Sequence, residues 1–298
     1  MADALRATRR VRDFHNSIES VHLVEVSAIF REKQEAALRR ALGEDYGGLK
    51  IEWHSEIEEV PVDPNVSSIF LLQEFFDVLP VRHFKKTELG WCEVLVDVDD
   101  SREGEHHLRF VLSRGPTPAS HVFVDGHPSF SSLPEGTDYI EASPESWSLV
   151  QKLSKWVGQT DGAALIVDYG NDGFAPHGGS LRGLLNHEFC SALQQPGEAD
   201  VTVDVDFAAL RDAVNEIAES QPSENRAVFH GPVLQRDFLA RMGIMPRFEA
   251  LMQHASPEQS INLKKGLVRL MDTESGMGQL FKAAAITPVA HGSPAGFA

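Results

Sequence analysis

"ESVHLVEVS", residues 19–27, is the stretch on which the reading of this chain turns. Val21, Leu23 and Val24 make it an apolar strand, and Glu25 puts a carboxylate at its far end. That is the pattern of the second strand in a nucleotide-binding α/β unit, where the acid takes the two hydroxyls of a ribose. Such an acid normally follows a glycine-rich turn by about 20 residues. Here no glycine precedes Glu25.

Working outward, residues 2–16 read as a helix. Ser27 is a good N-cap for an amphipathic helix over 27–42, which Gly43 closes. "GLKIEWHSEI" (48–57) and "PNVSSIFLLQEFFDVLPV" (64–81) read as two further strands. Strand, helix, strand and strand with short links predict a parallel sheet. The texture changes at residue 81. "VRHFKKTELGWCEVLVDVDD" (81–100) and "EHHLRFVLSRGPTP" (105–118) alternate with period two, which predicts an antiparallel meander inserted beside the main sheet. Ser143 and Pro144 open a helix over 143–160 that feeds an apolar strand, "GAALIVDYGNDG" (162–173). A short helix at 181–189, a strand running into a helix over 199–220, helices over 231–252 and 256–278, and a last strand at 279–287 follow. The tail from Pro288 is rich in Gly, Pro and Ala and is expected to fray.

Composition narrows the function. A net charge of −17 with pI near 5.1 argues against general binding to nucleic acid or anionic membranes, and suits a basic peptide partner. The two cysteines, Cys92 and Cys190, lie far apart in no C-x-x-C pattern, which argues against a disulfide framework or a structural zinc site. No apolar run approaches the roughly 18 residues needed to span a bilayer. Four arginines stand in the first twelve residues, but Asp3 and Asp13 within the first fourteen favour an amphipathic helix over a transit peptide.

Ligands on a doubly wound sheet bind outside the carboxyl ends of the strands. Glu25, His54, Glu74 with Asp77, and Asp168 all fall at or just past such ends, on four strands. In "LLQEFFDVLPV", Glu74 and Asp77 flank Phe75 and Phe76. Two carboxylates in an apolar pocket can clamp a guanidinium through its forked donors. Equally, Glu74 can cap the following turn while the phenylalanines are core. In "VDYGNDG", Asp168 and Asp172 around Tyr169 and Gly170 can hold a ligand's polar edge, or be ordinary turn residues. His54 can be a ligand-side group or a structural histidine. His106 and His107 would point to opposite faces of a strand and no H-E-x-x-H spacing occurs, so no metal site is expected. The G-x-S-x-G elbow, the P-loop and the kinase signatures are absent from the sequence.

Taken in order, "VHLVEVS", "EFFDVLPVRHFKKTELGWCEVLVDVD", "LIVDYGNDG", "SLRGLLNHEF", "QPGEADVTVDVDFAALR" and "GPVLQRDFLARMGI" resemble the MidA-type proteins. These are the mitochondrial complex I assembly-factor methyltransferases and their bacterial relatives, and the resemblance runs over nearly the whole chain. It implies an α/β, doubly wound, Rossmann-like class I methyltransferase sheet with an antiparallel insertion and C-terminal helices, using S-adenosyl-L-methionine. The implied division is 1–80 for the first part of the methyltransferase domain, 81–142 for the insertion, 143–287 for the remainder and 288–298 for the tail.

On matching positions, the resemblance makes Glu25 the ribose acid, with His54, Gln73 and Glu74 also on the cofactor. Glu74 and Asp77 would face the methyl donor and the incoming arginine as the catalytic pair. Phe75, Phe76, Asp168, Tyr169 and Gly170 would line the substrate side. The implied reaction is symmetric dimethylation of an arginine of a complex I core subunit in the mitochondrial matrix. The alternative is a silent assembly chaperone that keeps the fold, and a different methyl acceptor is a third reading. Two positions depart from the family: Gln73 stands where His or Asn is usual, and Asn171 where His is common. The family's "GPGRG"-type loop also has no counterpart before "VHLVEVS". The expectation is therefore a chain truncated within the first helix, without the central strand of the sheet, that binds the methyl donor weakly or not at all.

Overall fold

The computed structural model describes residues 1–100, 107–125, 130, 133–173, 179–186, 188–274 and 276–298. Two compact units divide between Asp63 and Pro64.

In the Met1–Asp63 unit, β1 (Ser20–Val24) and β2 (Lys50–His54) pair in parallel, Val21 opposite Ile51 and Leu23 opposite Trp53. Helix Ala28–Leu42 links them; the Ser27 hydroxyl accepts from the Phe30 N–H at its start, and Gly43 ends it at φ 61°. Because strand side chains alternate between faces, Val21, Leu23, Ile51 and Trp53 share one side. They pack with Leu5, Leu38 and Leu42 into one apolar cluster. The helix expected over 2–16 is two, Ala2–Thr8 and Arg12–Asn16.

The Pro64–Ala298 unit begins with β3 (Ile69–Gln73). Next come β4 (Arg82–Thr87), β5 (Gly90–Val98), β6 (Leu108–Pro116) and β7 (Tyr139–Ala142), an antiparallel sheet in the order β6-β5-β4-β7. Residues 101–106, 126–129 and 131–132 of the expected insertion, with His106, lie outside the described residues. Helix Pro144–Gln159, capped by Ser143 with proline at its first turn, leads into β8 (Ala163–Asn171).

Three short strands, β9 (Arg182–Leu185), β10 (Glu188–Cys190) and β11 (Asp200–Thr202), make a small antiparallel sheet. β12 (Val205–Asp206) runs into helix Phe207–Glu219, and β13 (Ala227–Leu234) and β14 (Phe281–Pro288) complete the unit. β8 is the hub: β3 and β12 pair with it in parallel, β14 antiparallel, and β13 pairs antiparallel with β14. Ile166, Ala284 and Ile286 on these strands and Val150, Leu153 and Leu210 on the helices are buried.

The fold is mixed α/β, with β1 paired to β2 in the first unit and β3 to β8 in the second. Two expectations for local elements are corrected. Residues 182–185 and 188–190 are strands where the sequence predicts a helix. The segment is too short to settle on helical periodicity, and Gly183 lets Cys190 and Ser191 approach to where a Cβ would lie within 2.8 Å. Residues 231–234 are strand and not helix: after an irregularity at Gly231 and Pro232, Val233 and Leu234 pair with Ala283 and Lys282 of β14. From Pro288 on, where the composition predicts fraying, Phe297 packs on Phe238 at 5.3 Å and Arg241 donates to the Gly296 carbonyl. Among the described residues no helix is long and apolar enough to cross a membrane.

Candidate functional site

Within the Met1–Asp63 unit, Glu25 stands one residue past β1. Its N–H donates to the His54 carbonyl at 2.9 Å, which ties the ends of β1 and β2 together. Its carboxylate takes one hydrogen bond per oxygen: Oε1 from the Ser27 N–H at 2.9 Å, and Oε2 from Gln34 Nε2 at 3.2 Å. Trp53 Nε1 donates to Gln34 Oε1 at 2.9 Å, so an indole from β2 fixes the amide that fixes the acid. A carboxylate has about four lone-pair positions, so half-exposed Glu25 keeps capacity for two more donors. A vicinal diol supplies two, the number the expected ribose role calls for. The His54 ring does something else: its Nε2 lies 2.9 Å from Nδ1 of His22.

In the Pro64–Ala298 unit the "EFFD" block and the "DYG" block form one structure. Asp168 is fully buried on β8, and its Oδ2 accepts from the N–H groups of Phe75 at 3.1 Å and Phe76 at 3.0 Å. Its Oδ1 accepts from the Tyr169 N–H at 2.9 Å. The Tyr169 hydroxyl in turn donates to Asp77 Oδ2 at 2.5 Å. One carboxylate therefore clasps the turn after β3 to β8, and the next residue pins the acid at the turn's far end. Glu74 opens this turn, exposed, at φ 47°, a backbone region uncommon for a residue with a side chain. Gln73 is exposed at the end of β3, and Phe75 and Phe76 meet edge to face at 5.7 Å. Gly170 is required by close approach: a Cβ there would lie 2.0 Å from the Val205 carbonyl oxygen.

Burial shapes the electrostatics. It pushes the Asp168 carboxyl up to about 7, with the Asp77 charge adding to the effect and the three backbone donors opposing it. Burial also raises Asp77, against the Tyr169 hydrogen bond. Asp77 Oδ1 is buried with no partner among the described residues. The Arg182 guanidinium lies over the Tyr169 ring, 4.8 Å from its centroid, and pairs with Asp204 at 2.8 Å. Lys282 donates to the Gly170 carbonyl, and burial lowers its ammonium pKa, against the pull of Asp204 and Asp172.

A cavity of about 380 Å³ opens in this unit between helix Pro144–Gln159, helix Phe207–Glu219 and the ends of β8 and β12. Phe76, Phe123 and Trp147 give it aromatic walls, and Glu141, Asp204 and Asp206 give it an acidic side. Asn171 is on the wall, and both its amide atoms are buried without partners among the described residues. Glu141 is gripped by Ser180 through its N–H at 2.7 Å and its hydroxyl at 2.6 Å, with His83 Nδ1 at 3.3 Å. Burial would raise the Glu141 carboxyl, yet the bonds from His83 and Ser180 hold it below its usual value. Asp206 caps helix Phe207–Glu219 through the N–H groups of Ala208 and Ala209, and burial pushes it up to about 6.

The two units thus sort the expected residues. Glu25 and His54 meet in the first; Glu74, Phe75, Phe76, Asp77, Asp168, Tyr169 and Gly170 meet in the second. Of that second set only Phe76 reaches the cavity wall. Arg182, Glu141, Ser180 and Asp206 are not singled out by the sequence. Their signals are single polar residues without a spacing that binds them together.

A model of the family described as "Putative S-adenosyl-L-methionine-dependent methyltransferase" matches residues 1–224. The chain is similar to "Protein arginine methyltransferase NDUFAF7, mitochondrial" of Danio rerio, at 36% identity over 276 residues, 88% of this chain and 60% of that one. It is also similar to the Homo sapiens protein of that name, at 34% over 284 residues, covering 90% and 59%. It therefore spans about 60% of the length of the curated relatives it matches. Among solved structures, an uncharacterised ACR superfamily protein from Burkholderia thailandensis superposes with TM-score 0.71 at 22% identity, over 94% of this chain and 69% of that one. A second member from the same organism, bound to S-adenosyl-homocysteine, gives 0.70 at 21%, over 94% and 67%. At these identities the likeness is one of fold.

Proposed function

Because this chain belongs to the S-adenosyl-L-methionine-dependent methyltransferase family whose model covers its first 224 residues, we propose that it moves a methyl group from that donor to an arginine side chain of a protein. The observation that carries the arginine reading is Asp77: a carboxylate 4% exposed, one oxygen fixed by Tyr169 and the other left without a partner among the described residues. An orphaned buried carboxylate oxygen is costly and calls for a cationic donor. A guanidinium supplies one with the planar fork that suits it.

The donor supplies an electrophilic methyl on a sulfonium. In-line transfer depends on placement of the reacting atoms, so the work of the protein is to orient and to stabilise charge. In the first unit Glu25 would accept from the ribose hydroxyls. In the second, Glu74 and Asp77 would hold the acceptor guanidinium, with Phe75 and Phe76 shaping the approach. Asp168 acts through others: it positions the turn that carries Asp77. Asn171, whose amide oxygen and nitrogen are buried without partners among the described residues, orients the polar part of a peptide entering the cavity. In this reading the target is an arginine of a respiratory complex I core subunit, dimethylated symmetrically in the mitochondrial matrix, in line with relatives named as mitochondrial arginine methyltransferases.

The test is direct. S-adenosylmethionine is titrated calorimetrically into the protein. Methyl-labelled donor is then incubated with complex I core subunits and with their arginine-to-lysine variants, and the hydrolysate is separated. Weak but saturable donor binding and label in symmetric dimethylarginine are expected. Donor binding with no labelled arginine leaves the silent chaperone as the reading, and label on another side chain removes the arginine assignment.

A further inference from the structure

The two parallel strands of the first unit have unlike faces. Val21, Leu23, Ile51 and Trp53 are committed to the apolar cluster with Leu5, Leu38 and Leu42. Alternation then puts Ser20 and His22 of β1 and Lys50, Glu52 and His54 of β2 together on the other face. The register sets His22 directly opposite Glu52, and Val24 opposite His54. The three chemically active side chains converge: His22 Nδ1 is 2.9 Å from His54 Nε2 and 3.6 Å from Glu52 Oε2, and one ligand atom from each lies within 4.8 Å of the others. None of the three is fully exposed.

We propose that His22, Glu52 and His54 bind one divalent transition-metal ion of the zinc type, through His22 Nδ1, His54 Nε2 and a carboxylate oxygen of Glu52. Two imidazoles and one carboxylate suit zinc, with nickel and copper as competitors, and do not suit magnesium or calcium, which want oxygen donors. A tetrahedral ion with Zn–N near 2.0–2.1 Å holds two donors roughly 3.3 Å apart. The 2.9 Å between the two ring nitrogens needs to open by only a few tenths of an ångström.

The surroundings prepare the donors. Ser20 Oγ lies 2.9 Å from His22 Nε2; in the tautomer that carries the proton on Nε2, that N–H donates to the hydroxyl and Nδ1 is bare. A fixed outer hydrogen bond of this kind is what orients a ligating imidazole. Lys50 Nζ pairs with Glu52 Oε2 at 2.9 Å and leaves other lone pairs of the carboxylate available. Three protein ligands leave a fourth position for water or a partner group. His54, expected from its strand-end place to touch the methyl donor, is assigned to this ion by its geometry. The site does not rest on methyl transfer.

The experiment uses the full chain, stripped with a chelator and dialysed. Zinc is titrated calorimetrically, and cobalt is added as a spectroscopic probe. One equivalent of zinc with micromolar or tighter affinity is expected, together with the intense visible bands of four-coordinate cobalt. His22→Ala and His54→Ala are each expected to weaken zinc by about 50-fold, and Glu52→Gln by about 10-fold. His121→Ala, remote in sequence and on a different element, serves as the control among the thirteen histidines and is expected to leave affinity unchanged. Far-ultraviolet dichroism checks that each variant folds. If an alanine variant does not, His54→Gln, which keeps volume and a polar end, takes its place. Absence of saturable micromolar binding overturns the proposal, as does undiminished binding in the folded His22 and His54 variants.

Discussion

Glu25 and Asp168 carry the same sequence signature, an acid closing an apolar strand, yet the two regions use them in opposite ways. Glu25 is half-exposed at the end of β1, and each oxygen takes one hydrogen bond from the segment that follows. Asp168 is sealed inside β8 and spends its carboxylate on three backbone N–H groups, two of them from a turn over ninety residues away in sequence. The first is a carboxylate with spare capacity for a ligand, the second a clasp. A strand-end acid is therefore not a role; the number and origin of its donors decide which role it has.

If Asp168 is a clasp, Asp168→Ala should be the most damaging change in the chain. It strands three buried donors at about 1–3 kcal/mol each, so a loss of about 4 kcal/mol in urea unfolding is expected. A cost below about 1 kcal/mol would return Asp168 to the ligand side of the comparison. The pH dependence sharpens the same point. The folded carboxyl sits at about 7, against about 3.9 in the unfolded chain. With the folded value raised, its contribution to stability is fully present below pH ~4, declines as pH rises, and is lost above ~7. Relative to Asp168→Asn, which has nothing to ionise, the native protein should lose on the order of 3 kcal/mol between pH ~4 and ~8. Parallel slopes for the two proteins would contradict the buried clasp. Next comes Gly170→Ala, which drives a Cβ against the Val205 carbonyl where β12 joins β8. About 2 kcal/mol of destabilisation is expected from overpacking against backbone.

Local rules account for much of this architecture. The strands at β1, β2, β3 and β8, the caps at Ser27 and Ser143, and the antiparallel strands after residue 81 follow from an apolar run, a capping hydroxyl or a period of two. Glu25, Asp77 and Asp168 are legible because strand ends are where sheets carry chemistry. What the sequence hides depends on long-range pairing. The bond from Tyr169 to Asp77 spans 92 residues and leaves no local mark. Arg182 lies in a segment that reads as helix, and only the β9–β11 pairing sets it in a strand, from which it reaches Tyr169. Asn171 stands out in the sequence as a departure from a family pattern, while its burial without partners among the described residues is a property of the packed cavity. His22 sits within "VHLVEVS" with no metal-ligand spacing around it, and only the β1–β2 register shows that it faces Glu52 and lies beside His54.

On the Glu25 side the expected effects are on binding and not on folding. Glu25→Gln keeps size and hydrogen-bonding shape but removes the charge that favours accepting from a ribose diol. Unfolding free energy should move by less than about 0.5 kcal/mol, while the S-adenosylmethionine Kd should rise about tenfold, roughly 1.4 kcal/mol. A loss of stability comparable to that of Asp168→Ala would erase the contrast.

The finest probe is Gln34. Its Nε2 reaches Glu25 Oε2 while its Oε1 accepts from Trp53 Nε1, so it transmits the position of β2 to the acid at the end of β1. Gln34→Ala leaves the carboxylate its charge and its bond from the Ser27 N–H, and takes away only the restraint on its rotation. A group that positions another should then cost little: about threefold in donor affinity, near 0.6 kcal/mol, with no change where Glu25 is already Gln. The double variant decides. If Gln34→Ala still weakens binding when Glu25 is replaced, Gln34 acts on the ligand itself. If the two effects collapse into one, the helix after β1 exists in part to hold a carboxylate still.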